Sequence, residues 1–459
     1  MLPPEGHHVV HIDTDAILPP ELSSVVIEGE RPPLFDRLEI AVLAEGETVP
    51  AAERVRTYDV DEGDFAVGGA SFTIPAPVGA RPKLRARLFR GESVYAGELL
   101  LDTTIEVWAE LPETPIEGAV DTTLYLLTDD VGVPQGSLAD PLVASDAPDA
   151  RVRPGLPGAT LVGTWPGAVR RACAEPARPG EVCVPGGAYW MGNPLVKGDD
   201  FVESDRQRLV VLSPFYLDTK EVTVGELRAF AESTSDPVEV TQRDPDPSSE
   251  AHFCTFTPSP DATSEARPAN CVSWETAERY CESRGATLPT EAQFEYVSGQ
   301  LRSALYIWGQ DEAAVCKAAV WGRGGRPATA IASAGASNCL PKEPTEDGPL
   351  ALLDSNVEET RFTDNIVIDG SVVFDLAGNL QEWTRDWFSG QGNPCWSRPD
   401  TNVFVDPVCN DPGTLASRSV RGGSWIQDRV FLRAAYRAAR APEASQRYLV
   451  GFRCARPSS

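Results

Sequence analysis

PANCVSWETAERYCESRGATLPTEAQFEYVSG, residues 268–299, holds two capped helices in succession. Ser273 is placed as an N-cap, and Thr276 to Tyr280 follow it, so a helix is expected to about Arg284. Thr290 opens the next helix, with a glutamate in the first turn facing the positive end of the helix dipole. Upstream, TVGELRAFAES (223–233) sets Val224, Leu227, Phe230 and Ala231 on one face and predicts another helix. Beyond residue 299 the regular signals stop, and Gly, Asn, Asp and Pro dominate. Long irregular loops in a compact domain need staples. There are 10 cysteines, all between Cys173 and Cys454. Several form short-range couples: Cys173 with Cys183, Cys254 with Cys271, Cys316 with Cys339, and Cys395 with Cys409. Each such disulfide would contribute about 3 kcal/mol. No CxxC pair and no zinc-type Cys/His spacing occurs, which disfavours a metal framework.

Upstream of the cysteine-rich part the character changes. Residues 131–170 are rich in Pro, Gly, Ala and Asp and read as a linker with a final strand inside it. Residues 1–150 read as all-β. Leu38, Ile40 and Val42 alternate with Glu39 and Ala41, and Leu84, Ala86 and Leu88 alternate with Arg85 and Arg87. Further strands are expected at 8–12, 71–74, 94–101, 104–109 and 122–128, with turns at Glu62-Gly63 and Arg90-Gly91. The number and spacing of these strands predict an immunoglobulin-like sandwich, although no Cys-Trp-Cys signature is present. The expected organisation is a β-sandwich at 1–150, a linker at 151–172 and an irregular α+β domain at 173–459.

The chain has 459 residues, 42% hydrophobic and 24% charged, and a net charge of −28. That acidity argues against nucleic acid as a partner. No stretch approaches the roughly 20 apolar residues of a transmembrane segment. The N-terminus has neither a basic n-region nor an apolar h-region. The cysteines nevertheless point to an oxidising compartment, so the expected location is secreted, periplasmic or cell-surface. On that reading an export signal was removed or never included, and a lipid anchor on the precursor stays open.

Seven motifs follow one another in order: VPGGAYWMG (184–192), PFYLDTKEVTVGEL (214–227), the 268–299 stretch, YIWG (306–309), FDLAGNLQEWTRDWF (374–388), VRGGSW (420–425) and RAAYRAARAP…GFRCA (433–455). Their order and content resemble the formylglycine-generating-enzyme (sulfatase-modifying factor) superfamily. The resemblance implies an irregular α+β fold related to C-type lectins. It also implies a catalytic pair of cysteines that bind copper(I) after an RGGS motif. Aligned without gaps on Arg421-Gly422-Gly423-Ser424, those two positions are Gln427 and Leu432. Neither can ligate copper(I), which takes soft thiolates. No copper and no formylglycine-forming activity are therefore expected.

The resemblance further implies a bridge between Cys281 and Cys454, which with the four local couples would pair every cysteine. A second family bridge falls on Ser298 and Arg437 and is lost. It also implies a structural calcium loop at 375–383, with Asp375 and Glu382 carboxylates and the carbonyls of Leu376, Gly378 and Leu380 as ligands. The alternative is that Gly378-Asn379 is a tight turn before a Trp-rich core. The four histidines, His7, His8, His11 and His252, read as ordinary strand and loop residues. Trp425, Asp428, Arg421 and Tyr436 surround the former catalytic centre and are expected to line a ligand cleft. The competing reading buries the aromatics in the core and the arginines in ion pairs. Two functions follow: a non-catalytic exported scaffold that binds a protein, peptide or glycan, or an enzyme of divergent chemistry with Asp428 as general base.

Overall fold

Period-two alternation puts Leu38, Leu84, Ala86 and Leu88 at zero exposure and Ile40 at 6%, and these strands build the first of two units in a computed structural model. The described residues are 6–20, 33–44, 46–66, 68–95, 97–193, 206–246, 248–309, 319–321, 364–390, 393–427, 429–443 and 448–458. The first unit comprises 1–170 with the short segments 207–211 and 398–404. The second comprises 171–206, 212–397 and 405–459.

The first unit is all-β. The strands of its two main sheets are β1 (His7–Thr14), β2 (Arg37–Leu43), β3 (Val55–Asp59), β4 (Ala70–Pro75), β5 (Lys83–Phe89), β6 (Ile105–Glu110), β7 (Ala119–Leu126), β8 (Leu142–Val143) and β9 (Val152–Pro154), while the strand expected at 94–101 is a short hairpin, Val94–Tyr95 with Glu98–Leu99. One sheet runs β9-β7-β1-β4 and the other β8-β6-β5-β2-β3. β1 and β7 pair in parallel, with His7 opposite Ala119 and Thr14 opposite Leu126. This pairing departs from the immunoglobulin-like expectation. Lettered A to G, the long strands β1 to β7 form D-A-G and C-B-E-F sheets here. An immunoglobulin sandwich instead groups B with E and D, and C with F and G. β3 is the strand that the sequence pattern did not reveal, because at the sheet edge it buries almost nothing. The Glu62-Gly63 turn is a short helical turn, Glu62–Phe65, with Asp61 and Asp64 forming a capping box.

Residues 151–170, expected as linker, belong to the first unit. β9 pairs with β7, and Trp165 is 3% exposed with its indole N–H donated to Asp129 at 2.8 Å. The boundary falls at 170/171, close to the expected 172/173. The Pro and Gly content of this stretch marks turns that lie against a sheet rather than free chain.

In the second unit the three expected helices form. They are α1 (Val224–Ser233), α2 (Trp274–Ser283) and α3 (Glu291–Ser298). Thr223, Ser273 and Thr290 cap them, each side chain accepting from a first-turn N–H. Around them lie β10 (Glu181–Val184), β11 (Phe215–Asp218), β12 (Gln381–Trp387), β13 (Arg418–Arg421), β14 (Arg437–Arg440), β15 (Val450–Gly451) and β16 (Ala455–Pro457). One sheet is β10-β11-β16, and another is β14-β13-β12-β15. The core between α1, α2 and the second sheet holds Val224, Leu227, Tyr280, Trp383, Val420 and Phe452.

Four disulfides are described: Cys173–Cys183, Cys254–Cys271, Cys281–Cys454 and Cys395–Cys409. Cys316 and Cys339 lie outside the described residues. Among the described residues no cysteine is free. Nor does any described helix have the length and apolarity to cross a membrane.

Candidate functional site

Two loops meet where the sequence places the former catalytic centre. The amide of Gly378 donates to Gly422 O at 2.8 Å, and that of Trp425 to Asn379 O at 2.8 Å. Gly378, Gly422 and Gly423 have φ of 88°, 91° and 73°, conformations that L side chains avoid. A Cβ on Gly378 would lie 2.5 Å from Val320 O, and one on Gly423 would lie 2.6 Å from Phe431 O. The glycine pair of the RGGS motif is therefore a packing requirement of these loops.

Glu221 clamps the first loop from below. Its Oε2 accepts from Asn379 Nδ2 at 2.6 Å, and its Oε1 from the Leu380 amide at 3.1 Å. Nothing in the local sequence around Glu221 distinguishes a buried clamp from a solvated acid. Burial, and then the charges of Asp375 and Glu382, push its carboxyl well above the usual range.

Gln427 is half-buried, and its Oε1 accepts from Ser424 Oγ at 3.0 Å. Leu432 is 1% exposed and packs over Gly423. A buried leucine and an amide already bound to its own loop stand where the resemblance places copper ligands. Asp428 lies outside the described residues.

The other expected cleft residues are core. Arg421 and Trp425 have no exposed surface, and Tyr436 is 6% exposed. Trp425 packs on Phe253, with ring centroids 5.4 Å apart, and Tyr436 meets Phe431 edge-on at 5.0 Å. Apolar burial of large rings accounts for Trp425 and Tyr436. The correction is that Arg421, Trp425 and Tyr436 do not line a cleft.

Arg421 instead belongs to a buried ion network. It donates to Glu295, to the carbonyls of Ala434 and Ala435, and to Glu291 at 3.5 Å. Arg437 donates to Glu291 Oε2 at 2.8 Å and to Ser389 O at 2.9 Å. Burial opposes ionisation of Glu291, but Arg437 and Arg421 outweigh it and hold its carboxyl below the usual range. Asp386 accepts from the Glu291 amide at 2.8 Å and the Cys409 amide at 2.7 Å. Burial and the neighbouring Glu291 charge push it up to about 7. Two arginines thus balance two glutamates, with Asp386 partly protonated near neutral pH. Arg437 is one of the positions where the resemblance places the lost bridge. The Glu291–Arg437 pair joins α3 to β14 in its place.

The expected calcium ligands are arranged differently from a cage. Both oxygens of Glu382 accept from Arg453, at 2.7 Å and 3.0 Å from Nε. Arg453 also donates to the carbonyls of Phe374 at 2.9 Å and Asp375 at 3.2 Å. Among the described residues no three His, Cys, Asp or Glu side chains come together as metal ligands. What the loop does hold is an acid surplus. Glu221, Asp364, Asp375 and Glu382 are all buried around Arg453, and among the described residues Asp364 Oδ2 has no hydrogen-bond partner. Burial pushes Asp375 up to about 6.

In the first unit His8 and His11 face opposite sides of β1. His8 Nε2 lies 2.8 Å from Thr114 Oγ1, and His11 Nε2 lies 2.8 Å from Asp121. They are separate structural contacts.

Residues 167–458 match the sulfatase-modifying factor enzyme 1-like domain. The chain belongs to that family. It is 30% identical over 327 residues to the formylglycine-generating enzyme of Streptomyces coelicolor, covering 62% of this chain and 93% of that protein. The formylglycine-generating enzyme of Thermomonospora curvata is 28% identical over 326 residues, covering 62% and 96%. Among solved structures, PvdO from Pseudomonas aeruginosa covers 60% of this chain and 94% of its own at 21% identity and a TM-score of 0.37. Treponema denticola variable protein 1 covers 61% and 100% at 16% identity and a TM-score of 0.38. Both scores are too low to carry an argument about function. The family match begins just before the second unit, so residues 1–166, the bulk of the all-β first unit, lie outside the family domain.

Proposed function

We propose that this family member is an exported, non-catalytic scaffold whose sulfatase-modifying-factor domain binds a protein, peptide or glycan. The observation that carries the reading is the pair Gln427 and Leu432, the second sealed into the core at 1% exposure. A copper(I) oxidase needs soft thiolates at those positions, and a buried leucine offers no lone pair, proton or path to solvent. Disulfides on eight of the described cysteines support an oxidising, extracellular setting. A lectin-like fold presenting irregular loops suits ligand binding, an analogy at the level of fold.

Calcium is part of the same proposal. The buried acid surplus fits a cation, while Glu382, with both oxygens on Arg453, does not fit as a ligand. Asp375 with the carbonyls of Leu376, Gly378 and Leu380 would hold the ion, whose contribution would be to neutralise charge and pin the loop. Removing calcium with a chelator should lower the melting temperature by several degrees and weaken capture of surface proteins or glycans. Unchanged melting would remove calcium from the account, and a protein that binds none of these ligands would remove the scaffold.

A further inference from the structure

β3 and β4 end the two sheets of the first unit among the described residues, and their Tyr58 and Phe72 rings meet across the gap between the sheets. A cavity of about 310 Å³ opens between β3 and β4, with Leu38 and Val60 in its lining and Tyr58 and Phe72 as its aromatic members. The two rings lie 5.2 Å apart at 41°. Tyr58 is opposite Leu38 in the β2–β3 register, and Phe72 is opposite Val10 in the β1–β4 register. Leu38 and Val10 have no exposed surface, so both rings extend the inner faces of the sheets. Each ring sits on a strand that ends its sheet among the described residues. Tyr58 is left 39% exposed.

The rim sets the chemistry. YDVDEGD (58–64) carries Asp59, Asp61, Glu62 and Asp64 and no cation. Asp59 and Asp64 line the cavity directly. Arg37 Nε pairs with Asp59 at 3.0 Å, leaving the Asp59 side chain 86% exposed. Arg56, the cation on β3 itself, donates to its own Val55 carbonyl at 2.8 Å. Asp64, which lines the cavity, is held by a capping box with Asp61. Two ring faces beside a carboxylate surplus favour a cation, since the ring quadrupole and the rim charges act in the same direction. A neutral sugar would use the rings and gain nothing from the charges. The chain's net charge of −28 steers cations toward it as well.

We propose that this edge cavity is a receptor for a basic side chain, a lysine or arginine of a partner segment. The inference concerns the first unit and stands independently of the scaffold reading of the second. The probe is a fluorescein-labelled Gly-Lys-Gly-Arg-Gly peptide, titrated with the full chain by fluorescence polarisation at about 0.15 M salt to screen diffuse attraction. Tyr58→Ala and Phe72→Ala leave the net charge unchanged and should each weaken binding about five-fold. Tyr58→Phe keeps the ring and should bind as the parent does, which separates recognition from misfolding. The same peptide with acetyl-lysine and citrulline should bind at least as much more weakly. Equal binding of the neutral peptide, or parental affinity in Tyr58→Ala, would overturn the proposal. So would competition for the cavity by a neutral oligosaccharide with no binding of the peptide.

Discussion

Glu291 is the residue on which the second unit's buried charge balance turns, because it meets Arg437 and Arg421 on its side chain and Asp386 through its amide. Removing one member of a fully buried pair strands the other, at a cost of about 3–5 kcal/mol. Arg437→Ala should lose that much in denaturant unfolding, whereas Arg437→Met combined with Glu291→Gln should recover part of it. A loss under about 1 kcal/mol in the single variant would show that water reaches the pair.

Asp386 makes a second prediction. Its folded-state pKa of about 7 lies above the ordinary 3.8, so between those values the folded chain holds a proton that the unfolded chain has released. Stability from this group is therefore present at low pH and is lost as pH rises toward 7, by up to about 1.4 kcal/mol per unit. Asp386→Asn should remove that downward slope from the stability profile measured between pH 4 and 8. An unchanged slope would show that Asp386 is ionised throughout. The sequence allowed a reading in which Arg421 and Arg437 are buried in ion pairs, but it did not point to Glu291 and Glu295 as their partners. Glu291 reads as first-turn charge, and Glu295, four residues on, carries no local signal of burial. Their burial depends on arginines more than a hundred residues away.

Elements were far more legible than their partners. All three helices begin at the residues whose side chains cap them, because a cap is a local bond with a local signal. The pattern of strands was legible too, but the sheet order was not. Alternation says which face of a strand is buried and nothing about its neighbours, so D-A-G and C-B-E-F sheets look the same in sequence as immunoglobulin ones. The RGGS turn lies between these cases. Its glycines are visible, yet only the contact of Gly423 with Phe431 and Leu432 explains them. Gly423→Ala should cost about 1–3 kcal/mol from the positive φ alone. A melting temperature equal to that of the parent would mean the loop can move away from residues 431–432.

At the scale of the whole molecule, an all-β unit precedes a family domain whose relatives are formylglycine-generating enzymes. The family was legible because its motifs are short, ordered and dense in Trp, Gly and Cys. The cleft was not, since an exposed arginine and a buried one are written with the same letter. The thiols point one way. Eight of 10 cysteines are bridged in the described residues, and the two positions that matter for copper are a glutamine and a leucine. The most direct test is to supply copper(I), oxygen and a reductant with a cysteine-containing peptide and follow aldehyde formation by mass spectrometry. The account predicts no product above a protein-free control. Aldehyde that appears in proportion to protein, and disappears when copper is withheld, would contradict it.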